Sequence, residues 1–409
     1  MVIQLLYTRQ ELTGKMQNVN RGARHLSYGI RLSDPLQLDN ALKLAEPLAL
    51  SCGVNAVMAQ RIEGVISYQI ELPQGFWEYY TRADLPSSQA VGLAEQRRPI
   101  AFELDPPHSL IAGTSGAGKS ETLKSILIAL MTSYTPLELG IILLDPHSDY
   151  QDFHNAAHLI MPIATETEAI RQALAYTNQE LAQRKAENIK SGKTIIVAID
   201  EADSVLTGAN LEIAKIISKH ARKYHIHLIV ATQKPLHAEL PGILDNLMNK
   251  FIGQLGDAGT SARVTGHAGL MAHKLTPKGD FLHVAGPDAM RFQVAMATDK
   301  DFAKLDRCEV QPATFGSVET LEPIILPEEL PERRGGRPQV TINPEWLAFY
   351  AYSNPQAISR AMAGELGLGR PTHELHRDSA KEFVKAYLKL IQQKQSLGFM
   401  VKALLAASK

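Results

Sequence analysis

The chain has 409 residues, 45% hydrophobic and 21% charged, with a formal net charge of −1. This length predicts two or three domains of an ordinary soluble globular protein. It shows no run of about 18 apolar residues and so no transmembrane helix, and MVIQLLYTRQELTGK meets charge too early to be a secretory signal. The two cysteines, Cys52 and Cys308, are far apart and lack metal-ligand spacing, which excludes a disulfide framework and fits a reducing, cytoplasmic compartment.

Elements before residue 100 read as a small α+β domain with a linker. Leu26 to Leu32 (LSYGIRL) has strand character. Leu38 to Cys52 has a dense apolar helical face, with Pro47 expected to kink it. Val54 to Leu72 reads as two strands joined around Glu63-Gly64. Pro73 to Pro99 reads as linker and connecting segments.

From residue 100 to 305 the pattern becomes short apolar strands alternating with helices. SLIAG, LGIILLD, TIIVAID, IHLIVATQ and KFIGQLG are the strands. Nearly all-apolar strands of this kind belong to a parallel sheet covered on both faces. Ile170, Ala173, Leu174, Thr177 and Leu181 line one face of an intervening helix. Gly279 to Gly286 and Arg291 to Ala297 read as a closing hairpin.

The first of these strands runs into HSLIAGTSGAGKSETL. Gly113, Gly118, Lys119 and Ser120 fit G-x-x-x-x-G-K-[ST]. Gly113, Thr114, Ser115, Gly116, Ala117, Gly118 and Lys119 would wrap phosphates, followed by Ser120 and Glu121 on the helix. Lys119 reaches the β- and γ-phosphates of ATP, and the Ser120 hydroxyl is a Mg²⁺ ligand. In IIVAIDEAD, Asp200 ends a buried strand and is the second Mg²⁺-binding group. Glu201 follows as the group that orients and polarises the attacking water. Thr232 and Gln233 end the next apolar run, where a polar pair can sense the γ-phosphate or the lytic water. A strand lying between the phosphate loop and IIVAID in sequence fits a RecA-like order, in which the two are not sheet neighbours. Asp145, His147 and Asp149, in LLDPHSDY, sit past another strand end. Turn chemistry from Asp-Pro explains them as well as a ligand role does.

Residues 306 to 342 form a Pro-rich linker, and residues 343 to 409 a helical domain with a helix-turn-helix pattern. From Pro331 onward there are 12 Lys and Arg against 6 Asp and Glu, net +6 on a body of net −7. Lys381, Lys385 and Lys389 share a helical face that suits phosphate contact. A solvated helical bundle for oligomerisation has the same pattern.

AGTSGAGKSETL, LLDPHSDY, VAIDEAD and, most specifically, ARKYHIHLIVATQKP resemble the motor domains of the FtsK/SpoIIIE and HerA superfamily, over residues 100 to 305. The resemblance implies a RecA-like P-loop ATPase core and a hexameric ring that threads double-stranded DNA. It also implies an arginine supplied by the neighbouring subunit. Arg263, in TSARVTGHAG, matches a basic position of that pattern; Arg291 is a weaker candidate, and Lys250 stands where the pattern tends to have arginine. The membrane region and the small DNA-reading domain of FtsK are not recognisable here, so a motor from a mobile element, phage or plasmid, acting with a nuclease or mobile-element partner, is expected at least as much as a septal one. The rivals are a viral genome-packaging or conjugative DNA-transfer ATPase and, from another class, an ATP-switched DNA-binding regulator.

Overall fold

Alternating apolar side chains on short strands need cover on both faces, and the chain supplies it. The computed structural model describes residues 2–310, apart from residues 63, 190, 191, 268 and 287. The linker beyond residue 310 and the C-terminal helical domain, with its lysine stripe, lie outside the described residues.

The chain begins with helix α1 (Val2–Arg9), strands β1 (Gly14–Arg21) and β2 (His25–Leu32), then helices α2 (Leu38–Leu42) and α3 (Ala45–Cys52). Strands β3 (Val57–Ile62) and β4 (Val65–Glu71) complete an antiparallel sheet in the order β1-β2-β4-β3. Leu44, Leu48, Ile66 and Tyr68 are buried between this sheet and its helices. α1 and β1 were not legible: β1 carries GKMQNVN, almost fully exposed, with no alternation to read. The expected kink at Pro47 is a break between α2 and α3 instead. Pro47 sits in the first turn of α3, where its missing N–H costs nothing, and the chain interrupts just before it.

The second sheet takes strands β5 (Tyr80–Thr81), β6 (Ala90–Ala94), β7 (Pro99–Ala101), β8 (Ser109–Ala112) and β9 (Leu139–Leu144), the last two separated by helix α4 (Lys119–Ser133). Helix α5 (Thr167–Ala186), β10 (Thr194–Ile199), α6 (Ala202–Val205), α7 (Gly208–His220) and β11 (Ile226–Thr232) follow. The set ends with β12 (Asn249–Ile252), α8 (Ala258–Thr265), β13 (Asp280–Ala285), β14 (Asp288–Met296) and α9 (Asp299–Phe302). The order is β7-β6-β14-β13-β12-β8-β11-β10-β9, with β5 paired to β14. β12, β8, β11, β10 and β9 run parallel; the β13–β14 hairpin and β6 extend the sheet antiparallel.

Side chains of each parallel strand divide between two cores. Ile142, Val197 and Val230 face one core, shared with Ile170, Leu174 and Leu181 of α5. Ile141, Ile196 and Ile229 face the other, shared with Ile126, Leu127 and Leu130 of α4. α4 is buried around most of its circumference, as a helix wedged between layers must be.

One expectation needs correction. Part of residues 73–99, read as linker and connecting segments, is sheet: β5 and β6 lie within it, β6 pairs with β14, and β7, which starts at Pro99, pairs with β6. The sequence signal was weak because β6 contains Gly92. A Cβ there would lie 2.3 Å from the Gln293 carbonyl oxygen, so the close approach of β6 to β14 requires glycine.

Candidate nucleotide site

In a parallel sheet the strand C-termini share one edge, and ligands bind there. β8, β10 and β11 end at Ala112, Ile199 and Thr232, which brings the three motifs together although they are far apart in sequence. β11 lies between β8 and β10, as the RecA-like order requires; the separating strand is β11, whereas LGIILL (β9) is at the edge.

The phosphate loop is held from both sides. Thr114 N–H donates to the Gln254 carbonyl at 2.7 Å and Gly113 N–H to that of Thr232 at 3.3 Å. Gly116 has φ +76° and Gly118 φ +108°, values that L side chains rarely adopt. A Cβ on Gly118 would also come within 2.9 Å of the Gly279 nitrogen. Ser115 and Gly116 are exposed at the mouth of the loop, while Ala117 is buried. α4 starts at Lys119 with the non-side-chain cap Gly118, which leaves its first N–H groups free for an anion. Thr122 closes the first turn through its hydroxyl, which donates to the Gly118 carbonyl at 2.9 Å.

Lys119 is buried, with its ammonium 3.5 Å from the Thr114 carbonyl oxygen. Burial pushes its pKa down, and Glu201, Asp200 and Asp203 oppose that shift. The three carboxylates therefore share their field with the loop lysine. Ser120 and Glu121, on the first turn of α4, are half-buried.

Asp200 is 3% exposed. Burial raises its pKa, against hydrogen bonds from the Glu201 N–H (2.9 Å) and the Tyr150 hydroxyl (3.0 Å). Burial raises the Tyr150 pKa and the neighbouring Ser120 side chain opposes that shift, so one buried phenol has both expected Mg²⁺ ligands as neighbours. Sequence reasoning gave Tyr150 no role. Its cause is the DPHSDY turn: the buried Asp145 carboxylate accepts from the N–H groups of Asp149 (3.0 Å) and Tyr150 (2.9 Å), which folds the turn and aims the ring inward. The Asp145 cluster is thus turn chemistry, with His147 and Asp149 exposed.

Glu201 has φ +46° and ψ +53°, a left-handed conformation costing about 1 kcal/mol or more for a non-glycine residue. That geometry lets its carboxylate receive the Gln233 amide at 2.6 Å. Thr232 is fully buried, and its hydroxyl donates to Asp203 at 3.1 Å while accepting from the Lys234 N–H at 3.0 Å. Each member of the Thr232-Gln233 pair is tied to a carboxylate of the IDEAD segment. Asp203 was the unassigned partner, and its spacing from Asp200 on a short helix is a signal that could have found it.

Three basic candidates part ways. Arg263 is exposed on α8, its guanidinium donating to the Thr260 hydroxyl at 3.1 Å. Arg291 is buried and makes two hydrogen bonds to Asp280, at 2.9 and 2.7 Å, so it is not available to a neighbouring subunit. Lys250 is spent on the Val264 carbonyl near the end of α8, at 2.9 Å.

A donor set of loop N–H groups, a lysine, a serine hydroxyl and a buried carboxylate suits a triphosphate with a hard divalent cation. Among the described residues no helix is long and apolar enough to cross a membrane.

Residues 80–251 match the FtsK/SpoIIIE family. A protein named DNA translocase FtsK from Borreliella burgdorferi is 24% identical over 345 residues, 75% of this chain and 44% of that protein. One of the same name from Mycobacterium leprae is 27% identical over 354 residues, 74% of this chain and 42% of that protein. The chain spans less than half the length of these curated relatives. The solved pCW3 conjugation coupling protein TcpA is similar at 18% identity and TM-score 0.45, over 73% of this chain and 95% of that chain. The family match covers the phosphate loop, Asp200, Glu201 and Gln233 together with the strands that carry them, and over these residues this chain carries a P-loop ATPase domain similar to the FtsK/SpoIIIE family.

Proposed function

We propose that the chain is an ATP-hydrolysing translocase that moves double-stranded DNA through a ring of identical subunits, hexameric in the family pattern. The observation that carries the hydrolytic half is the Glu201–Gln233 contact at 2.6 Å, beside the phosphate loop and on strained backbone. A carboxylate so placed can accept a proton from an attacking water at its Oε atoms. Gln233, held to it, can sense whether that water and the γ-phosphate are in place. The relatives named DNA translocase support the DNA half.

Lys119 and the loop N–H groups would hold the phosphates, and Ser120 together with Asp200, which the Tyr150 hydroxyl holds in place, would hold Mg²⁺. Held there, the cation would supply neutralisation of charge on the phosphates. Arg263, exposed on α8, is the candidate to reach a neighbouring subunit's nucleotide. We read residues 100–305, with the sheet strands just before them, as the motor, residues 1–99 otherwise as an accessory α+β unit, and the basic C-terminal residues as a DNA-contacting segment.

The test is ATP hydrolysis with and without long duplex DNA at low and moderate salt. Strong stimulation by duplex, weakening with salt, supports the translocase. Robust hydrolysis indifferent to DNA moves the substrate to protein. Slow hydrolysis under all conditions favours the ATP-switched regulator.

A further inference from the structure

The phosphate loop has a second support that comes from the other end of the chain. Lys278 N–H donates to the Gly116 carbonyl at 3.1 Å, and Gly279 N–H to the Ala117 carbonyl at 2.8 Å. These two bonds fix the orientation of the Gly116–Ala117 and Ala117–Gly118 peptide units, the first of which also closes a turn through the Ala117 N–H to the Thr114 carbonyl at 3.2 Å. Lys278 has φ +67°, so its N–H and its carbonyl serve different partners.

That carbonyl is taken by Arg24. The Arg24 guanidinium, on a residue 1% exposed between β1 and β2, donates to the Lys278 carbonyl, to the Pro277 carbonyl at 2.6 Å and to the Thr276 hydroxyl at 2.9 Å. Its Cζ lies over the rings of Trp77 and Tyr79, 4.9 and 5.0 Å from their centroids. A planar fork packed on two rings has little freedom left, so it can hold the turn in one position. The backbone of Arg24 is itself fixed, its carbonyl accepting from Leu72 N–H at 2.8 Å. At the far side of the turn, Asp280 accepts from Thr276 N–H at 3.1 Å and from its hydroxyl at 2.9 Å while paired to Arg291. The turn is thus clamped at both ends, with the phosphate loop bound to its middle.

We propose that Arg24 is a positioning residue for the nucleotide site, which it serves by holding the 276–279 turn against the back of the phosphate loop and so coupling the N-terminal sheet to nucleotide affinity. The inference rests on the nucleotide reading above. Coupling of this kind is reciprocal: if Arg24 favours the nucleotide-binding arrangement, nucleotide must change the surroundings of Arg24.

Trp77 makes this measurable, because the chain has only 2 tryptophans. In the full chain carrying Trp346→Phe, MgATP is titrated and both affinity and Trp77 emission are followed. Binding with a shift in Trp77 emission is expected. Adding Arg24→Lys keeps the charge and loses the fork; it should weaken binding roughly tenfold and abolish the emission change, with the far-UV spectrum at the assay temperature unaltered. If Arg24→Lys fails to fold, Thr276→Val removes one acceptor and keeps the probe, and a few-fold weakening with a reduced emission change is expected. Unchanged affinity with unchanged emission response, in whichever variant folds, overturns the coupling while leaving the nucleotide reading intact. A parent chain that does not bind MgATP overturns the nucleotide reading itself, and the coupling with it.

Discussion

β8 and β11 have chemistry at both ends, and the two ends differ. At the C-terminal end, the phosphate loop, Thr232 and Gln233 face carboxylates and a lysine across strained backbone. At the N-terminal end, His108 and His227 lie 6.0 Å apart, ring to ring, both buried. His108 Nδ1 accepts from the Leu228 N–H at 2.9 Å, so one ring ties the strands together. Burial, together with the nearby Arg222 guanidinium, pushes both histidines down to about 4. Buried polar groups at one end are left facing a ligand edge; at the other they are enclosed in the fold, with His108 Nε2 and His227 Nδ1 buried and without a hydrogen-bond partner among the described residues. Perturbed pKa values alone would not tell these ends apart, and the convergence of several motifs does.

Loss of function without loss of fold should map to the first end, and loss of fold with pH to the second. The largest effect is expected from Lys119→Ala, which should abolish ATP turnover, a drop on the order of 10³-fold or more, with circular dichroism unchanged; wild-type turnover would erase the functional side of the contrast. Glu201→Gln comes next. It keeps the Gln233 neighbourhood and removes the proton acceptor, so turnover should fall about 10²- to 10⁴-fold while ATP remains bound in an assembled ring, visible by size-exclusion chromatography with labelled nucleotide. Tyr150→Phe removes only the hydroxyl that donates to Asp200, and the Mg²⁺ concentration for half-maximal turnover should rise about tenfold. An unchanged Mg²⁺ dependence would make the phenol a packing group.

The smallest effect tests the other end. A histidine held neutral by the fold has its folded pKa below its unfolded value, so the unfolded chain binds more protons between the two. Stability from His108 and His227 is therefore complete above about pH 6.5 and lost as pH falls toward about 4. The unfolding free energy read from urea titrations should drop between pH 7 and pH 5, by something on the order of 1–2 kcal/mol per group. His227→Gln should flatten that slope. A slope that persists unchanged would assign the acid sensitivity to other groups.

The nucleotide-binding core was largely legible. G-x-x-x-x-G-K-S needs strand, loop and helix in that order, and the apolar runs ending in Asp200 and Thr232 name their own strand edge. What escaped notice depended on contacts between distant segments. Tyr150 acts only because a turn built on Asp145 rotates it toward Asp200. Asp203 matters through Thr232. β6 reads as a featureless AVGLA until Gly92 meets β14. Arg24 is an unremarked basic residue in a turn until residues 276–278 fold over it. Periodicity and motif spacing report local geometry, whereas these four are set by tertiary approach.

The hairpin behind the phosphate loop also sets the limits of any excisable fragment. A chain cut at residue 251, where the family match stops, would retain Lys119, Asp200, Glu201 and Gln233. It would lose the N–H donors of Lys278 and Gly279 from beneath the loop. It would also lose β14, the strand that joins β6 and β7 to the rest of the sheet. Phe251 would shed its ring partners His283 and Phe292, leaving an apolar edge strand open to other chains. A fragment that keeps the motifs but ends there should aggregate, and the shortest separable piece extends at least through Met296.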